Sequence, residues 1–255
     1  MDTMVEKHIK CFAPKAVEIW ELHNIETKFL KTWNMVNLYS KTRGINRFKG
    51  LVKTFELLED EGLDMPDMSS VRTWIETSNE LSNRSLKEEL KKTRSKQLLN
   101  TLSWSYDVNT AILELAGEDK PFPKVKEGLA YISSFADIAI VSSANGSAVR
   151  DEWTRHGLSS YVQILCGQEA GTKSSCIKAL NKHGYSSGKL LMIGDAPGDL
   201  LAAQRNEVLF YPILVGKEEF SWTRLVSQAM PKLADDTYSG EYQNQLIKEF
   251  ISTLK

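Results

Sequence analysis

The stretch that most constrains the fold is residues 189–203, Lys-Leu-Leu-Met-Ile-Gly-Asp-Ala-Pro-Gly-Asp-Leu-Leu-Ala-Ala. Its apolar run, residues 190–193, ends at Gly194 and is typical of a buried parallel strand. Two carboxylates follow, Asp195 and Asp199, with a proline and a glycine shaping the turn between them. Open α/β folds bind ligands at the carboxyl ends of their strands, so the sequence predicts a ligand site here.

The chemistry of the two carboxylates indicates a cation. Hard oxygen ligands suit Mg²⁺, which usually takes one or two carboxylates together with substrate phosphate. Asp195 and Asp199 are therefore candidate Mg²⁺ ligands. The alternative is structural, with Asp199 capping the helix whose pattern starts there and Asp195 in an ordinary turn.

Composition narrows the class of protein. The 255 residues, 42% hydrophobic and 25% charged, are enough for a full core and a smaller second unit. A formal net charge of -1 gives no general attraction to nucleic acid or to an acidic membrane, so we expect neither as a partner.

The cysteines predict the compartment of the protein. Cys11, Cys166 and Cys176 show no metal-binding spacing and no even-numbered disulfide framework, so we expect the protein in the reducing environment of the cytoplasm. The N-terminus lacks the apolar core of a signal peptide, and no run approaches membrane-spanning length.

The first part of the chain, residues 1–117, is predicted to be a helical unit. Apolar residues recur there at helical spacing in segments 16–23, 26–38, 47–59, 69–81 and 86–99. The stretch around Pro121 and Pro123 is the expected boundary between this unit and the next.

Residues 118–255 are predicted to form an α/β core with C-terminal helices. Strand patterns occupy residues 138–141, 162–165, 190–193 and 209–214, and helical patterns occupy 125–133, 148–156, 174–183 and 200–204. Two amphipathic helices are expected at 217–230 and 241–255. Alternation of this kind predicts a parallel, doubly wound sheet.

Two further polar clusters follow predicted strands. Ser142 ends one strand, and the turn that contains Ser143 and Asn145 offers backbone N–H groups near a helix start, so the hydroxyl and amides can cradle an anion. The same residue types also cap helices and form turns, which is the alternative. Lys173 lies after the next strand and before a helix, where its ammonium would reach the same edge; otherwise it is an ordinary solvated lysine.

A serine after one strand, a lysine before a helix and Gly-Asp-x-x-x-Asp after the next strand, in this order, resemble the haloacid dehalogenase (HAD) superfamily. The resemblance covers roughly residues 118–215 and implies a Rossmannoid core. It implies that Ser142 and Lys173 hold a transferring phosphoryl group while Asp195 and Asp199 bind Mg²⁺. Those roles suit phosphoryl transfer, which is mostly positioning and charge neutralisation.

The resemblance also implies that the helical half is a cap, which closes over the site and selects the substrate. Its richest basic stretch is residues 37–49. Arg43 or Arg47 is a candidate clamp for a second anionic group on the substrate. A solvated helix end is the alternative.

One departure from the family is large. The family's nucleophile lies in a first motif, an apolar strand followed by Asp-x-Asp-x-Thr, and this chain has no such segment. Its first residues, Met-Asp-Thr-Met, resemble those that follow that motif. Since the strand is central in this fold, its loss would leave neighbouring strands with unpaired backbone groups. The attacking carboxylate and the acid/base carboxylate would also be missing.

We therefore expect a truncated copy of a Mg²⁺-dependent phosphohydrolase that acts on a small phosphorylated metabolite, as a monomer or homodimer. The alternative is an inactive HAD-like protein that keeps an anion site. An interaction protein that uses Trp20, Trp33, Trp74 and Trp104 is a further alternative, although aromatics at helical spacing are more often core. Phosphonate cleavage through an imine on Lys41, Lys49 or Lys53 is conceivable, and dehalogenation suits the acidic pair less well.

Overall fold

The computed structural model describes residues 3–115, 117 and 119–254. The chain divides into two compact units, one containing the residues up to 117 and the other spanning Asp119–Leu254. The first unit is built from helices, and the second alternates helices with parallel strands, so the predicted α/β class is confirmed. Over the described ranges, every helix is too short or too polar to cross a membrane.

The first unit contains seven α-helices among its described residues. They are α1 Met4–Lys7, α2 Ala13–Ile19, α3 Glu26–Asn34, α4 Arg47–Asp60, α5 Ser69–Thr77, α6 Asn83–Thr93 and α7 Lys96–Glu114. Wider π-helical turns at His8–Phe12 and Met35–Tyr39 continue α1 into α2 and extend α3. The single helix predicted over 86–99 is wrong: Arg94 takes a left-handed conformation with φ 51° and ends α6. Ser95 then caps α7 by accepting a hydrogen bond from the Leu98 N–H.

The core of this unit is aromatic. Trp33 and Trp104 are fully buried, and Trp20 and Trp74 are nearly so. The Trp104 indole N–H donates to the Phe12 carbonyl at 3.0 Å, which satisfies its polar atom inside the core. The four tryptophans are therefore core residues, and the interpretation of them as an exposed interaction surface is wrong.

The second unit contains four described strands and seven α-helices. The strands are β1 Ala139–Val141, β2 Ile164–Cys166, β3 Leu191–Gly194 and β4 Leu209–Pro212. The helices are α8 Val125–Ser133, α9 Gly146–Arg155, α10 Lys173–Asn181, α11 Pro197–Arg205, α12 Glu218–Arg224, α13 Met230–Ala234 and α14 Glu241–Thr253. All four strands lie within two residues of their predicted positions, because short apolar runs bounded by glycine and polar turns encode them locally.

The strands pair in two separate parallel ladders rather than in one sheet. β1 pairs with β2, with Val141 opposite Cys166, and β3 pairs with β4, with Leu191 opposite Leu209. One continuous doubly wound sheet is therefore not what residues 119–254 form, because within them each strand has a ladder partner on one side only. The described residues therefore do not confirm the continuous sheet, which stays a prediction.

Candidate functional site

The two predicted metal ligands lie at the carboxyl end of β3. Gly194 ends the strand, half-buried Asp195 follows it, and Asp199 lies in the first turn of α11 with 2% of its surface exposed. One Asp199 carboxylate oxygen, Oδ2, accepts the Ala196 N–H at 3.1 Å. Asp199 is thus not the N-cap residue that the structural alternative predicts: α11 begins at Pro197, Ala196 is its N-cap, and the Asp199 carboxylate reaches back to the Ala196 N–H. The carboxylate also has a second partner.

That partner is Lys173, the first residue of α10. Its ammonium Nζ donates to Asp199 Oδ1, and the exposed fractions of the two side chains are 26% and 3%. Helices α10 and α11 pack against each other, which brings these residues together although they lie 26 positions apart. Lys173 is therefore a half-buried partner of the buried Asp199 carboxylate rather than a solvated surface lysine.

The electrostatics of Asp199 reflect burial against two charged neighbours. Burial raises the pKa of Asp199 above its usual value, the Lys173 ammonium opposes that rise, and the negative charge of Asp195 adds to it. Two carboxylates that repel each other in a low-dielectric place are stabilised by a cation between them.

The carboxylate oxygens of Asp195 and Asp199 are ligand atoms of the kind that Mg²⁺ prefers. A carboxylate offers about four acceptor positions, and Asp199 has two known donors, Lys173 and the Ala196 N–H. The described residues hold no cluster of three or more histidine, cysteine, aspartate or glutamate side chains. Mg²⁺ needs only one or two carboxylates when phosphate and water supply its remaining ligands, so Asp195 and Asp199 stay the predicted pair.

Gly194 lets α11 approach β3 closely. A Cβ atom at Gly194 would lie 2.4 Å from Asp199 Cβ and 2.5 Å from Asp199 Oδ2. We expect Gly194→Ala to lower the free energy of unfolding by about 1–3 kcal/mol and to displace the Asp199 carboxylate, because this packed contact cannot widen without moving the helix.

The matched control is Gly198→Ala in α11, where an added Cβ meets nothing within 4 Å. It should be neutral or stabilise by up to about 1 kcal/mol, since alanine is the better helix former. Urea unfolding of the two variants compares them directly. An equal effect of both substitutions would show that the close approach at Gly194 is unimportant.

The loops after β1 and β2 are tied to each other. The Ser142 N–H donates to the Cys166 carbonyl at 2.8 Å, and the Gln168 N–H donates to the Ala144 carbonyl at 2.8 Å. Half-buried Ser142 accepts the Ala144 N–H through its hydroxyl at 3.1 Å. Ser142 is therefore fixed at the end of β1, and α10, which begins with Lys173, packs against that strand.

The predicted anion cradle at the start of α9 is engaged by the protein itself. Asn145 caps this helix, since its carbonyl Oδ1 accepts the N–H groups of Ser147 at 3.0 Å and Ala148 at 3.2 Å. The Glu169 carboxylate accepts the Gly146 N–H at 3.1 Å. The capping interpretation of Asn145 is thus confirmed. Ser143 is exposed in the same turn.

Glu169 was not among the predicted site residues. Its contact with Gly146 joins residues 23 positions apart, so no local sequence pattern predicts it. The available signal is the pair of glycines at 146 and 167. A Cβ at Gly167 would lie 2.5 Å from the Gly146 backbone, so the two loops must cross closely there.

The two predicted arginines belong to the helical unit. Arg43 is 5% exposed and donates to the Leu38 carbonyl at 2.8 Å. Arg47 donates to Asn109 Oδ1 at 2.7 Å and lies 5.0 Å from the Phe12 ring centre, and burial lowers the pKa of Arg47 to about 10. The solvated helix end is therefore wrong as an interpretation of Arg43, and the substrate contact of either arginine stays a prediction.

Comparison with known proteins shows the family to which the chain is similar. The family model of haloacid dehalogenase-like hydrolases matches residues 45–212, well over half of the chain. The matched range contains all four described strands, Ser142, Lys173 and both aspartates. The searches of curated proteins and of solved structures found no match.

Proposed function

We propose that this chain, which belongs to the haloacid dehalogenase-like hydrolases, carries the phosphate- and Mg²⁺-binding part of a phosphohydrolase for a small phosphorylated metabolite. The observation that carries the proposal is the Lys173 ammonium held against buried Asp199, with Asp195 beside them at the carboxyl end of β3. A fixed cation next to a carboxylate pair suits a phosphoryl group better than a neutral ligand.

In this proposal each side chain has a physical task. Lys173 neutralises charge on the phosphoryl oxygens, and Asp199 fixes the direction of the ammonium by pairing with it. The Ser142 hydroxyl donates a hydrogen bond to a second phosphoryl oxygen. Asp195 and Asp199 would hold Mg²⁺, which, when bound, polarises the phosphoryl group and neutralises its developing charge.

The proposal has two forms, which differ in whether the protein has an attacking carboxylate. The 255 residues contain no Asp-x-Asp sequence. In the first form, the attacking carboxylate comes from a polypeptide segment outside these residues, as the truncation hypothesis supposes. In the second form, the protein binds phosphate and Mg²⁺ without turnover.

Phosphonate cleavage receives no support from the lysines of the helical unit. Lys41 and Lys49 are exposed, and Lys53 lies 3.8 Å from the Glu56 carboxylate. An imine-forming lysine is usually desolvated in an apolar pocket or set beside another cation. Phosphomonoester chemistry therefore stays the proposal, and neither nucleic acid nor a membrane is proposed as a partner.

Binding of inorganic phosphate with Mg²⁺ tests the site. A ligand that binds only the folded protein stabilises it, by about 2.7 kcal/mol at a hundred times its dissociation constant. We expect phosphate and Mg²⁺ together to raise the melting temperature, and Asp195→Asn to abolish the Mg²⁺-dependent part. Asp235→Asn, an exposed aspartate after α13, is the control and should leave the response unchanged.

Turnover of a generic phosphomonoester separates the two forms of the proposal. Mg²⁺-dependent phosphate release by the 255 residues alone, lost in Asp195→Asn, would show that the nucleophile is within this chain. Phosphate and Mg²⁺ without any thermal response would refute the site itself.

A further inference from the structure

A cavity of about 320 Å³ lies in the helical unit, between the last turn of α5 and one side of α6. A volume of this size suits a small ligand. Trp74 of α5 forms part of the wall, Ser78 follows α5, and Ser85 and Glu88 belong to α6. All the residues that line the cavity are part of the helical unit, so the cavity is a feature of that unit alone.

The Trp74 indole has a polar atom that the protein does not satisfy. Only 2% of the Trp74 surface is exposed, and no acceptor among the described residues bonds its buried indole Nε1. The three other tryptophans of this unit each donate their indole N–H to an acceptor about 3 Å away. A buried donor without an acceptor costs free energy. An acceptor atom on a ligand in the cavity would remove that cost.

The α6 side of the cavity is acidic. Glu88 and Glu89 both line it, and Lys92 is the one lysine or arginine among the lining residues. The Lys92 ammonium Nζ donates to Glu89 Oε2 at 3.2 Å. Two carboxylates against one ammonium leave the wall with an excess negative charge, which attracts a cation and disfavours an anion.

The serine hydroxyls of the wall are acceptors toward a ligand. Ser78 and Ser85 each donate their hydroxyl proton to the Glu80 carbonyl. A hydroxyl oxygen has two acceptor positions, and a backbone N–H takes one of them in each serine. One position on each oxygen is left, so these groups suit a ligand that donates hydrogen bonds.

We propose that this cavity binds a small organic cation that carries both an ammonium and a hydroxyl group. The ammonium pairs with Glu88 and Glu89 and donates to the serine oxygens. The ligand's hydroxyl oxygen accepts the Trp74 indole N–H. A metal ion suits the site less well, because an indole N–H is a donor and cannot coordinate a metal. This proposal is independent of the phosphate site, since every residue it uses belongs to the helical unit.

Three matched compounds test the chemistry of the ligand on the full chain. The probe is trans-4-aminocyclohexanol, whose primary amine is protonated at neutral pH like that of lysine. Cyclohexylamine lacks its hydroxyl group, and cyclohexanol lacks its ammonium. We expect the probe to shift the Trp74 indole N–H signal in the NMR spectrum of the ¹⁵N-labelled protein, and each control compound to bind about tenfold more weakly, as loss of one hydrogen bond to a charged or buried group predicts. The Trp74 signal is assigned by its loss in Trp74→Phe.

A substitution in α6 tests the role of the acidic wall. Glu88→Gln keeps the size of this exposed side chain and removes its charge, so the probe should bind about tenfold more weakly. Glu76→Gln is the matched control, because Glu76 is an exposed residue of α5 that does not line the cavity, and its affinity should be unchanged. The other indole signals show that both variants are folded.

Three results would overturn the proposal. The first is an unshifted Trp74 signal at millimolar probe, which would show that the cavity holds only water. The second is equal affinity for the three compounds, since binding would then depend on the apolar ring alone. The third is an equal effect of Glu88→Gln and Glu76→Gln, which would place the cation elsewhere on the surface.

Discussion

Replacing Lys173 with methionine should lower the free energy of unfolding by about 3–5 kcal/mol at neutral pH. Methionine fills a similar volume but leaves the buried Asp199 carboxylate without its cation. Removing one member of a buried pair costs more than the pair contributes, because the remaining charge stays desolvated. A loss of this size is a large part of the stability of an ordinary domain.

Two further variants show whether the loss of stability comes from the unpaired charge of Asp199. The double variant Lys173→Met/Asp199→Asn should recover most of the loss, since asparagine keeps an oxygen for the Ala196 N–H and carries no charge. Lys189→Met is the matched control, because Lys189 pairs with Asp236 at 2.6 Å on the surface, where such a pair contributes about 0–1 kcal/mol. Urea unfolding measures all three variants. Equal losses in Lys173→Met and Lys189→Met would contradict the buried pair.

The helical unit should lose about 3 kcal/mol of stability between pH 6.5 and about 4 through His8. His8 is buried, and its Nδ1 accepts the Trp33 indole N–H at 3.0 Å, which requires an unprotonated ring nitrogen. Burial lowers the pKa of His8 from 6.5 to about 4, and the positive charges of Arg43 and Arg47 contribute to that shift. The native state therefore keeps His8 neutral where the unfolded chain already binds a proton. Stability from His8 is present above pH 6.5 and is lost as the pH falls to about 4.

The matched pair of variants is His8→Gln and His23→Gln. Glutamine at position 8 can accept the Trp33 N–H and does not titrate, so this variant should lose the additional acid sensitivity. His23 is exposed, and its replacement should leave the acid sensitivity unchanged. Tryptophan fluorescence during urea unfolding follows the transition, since Trp33 and Trp104 are core residues of this unit. Unchanged acid sensitivity in His8→Gln would show that His8 is not its source.

The positions of the strands and of several helices can be predicted from the sequence, because each depends on a pattern of residues that are close together in the chain. Apolar runs of about four residues ending in glycine or polar turns encode β1 to β4, and helical spacing encodes α4 and α8. The break between α6 and α7 was not readable, because it depends on Arg94 adopting a conformation that arginine seldom takes. The four tryptophans were correctly expected in the core from their spacing.

By itself, the sequence determined the α/β class, the positions of the strands and the residue types that point to phosphate and Mg²⁺. Only the tertiary structure decided which of those residues meet. Lys173 faces Asp199 and Glu169 reaches α9 because helices and loops far apart in the chain pack together. Packing also buried Arg43 and divided the strands into two ladders. Spacing along the chain fixes the face on which a side chain lies, whereas its partner depends on how the faces pack.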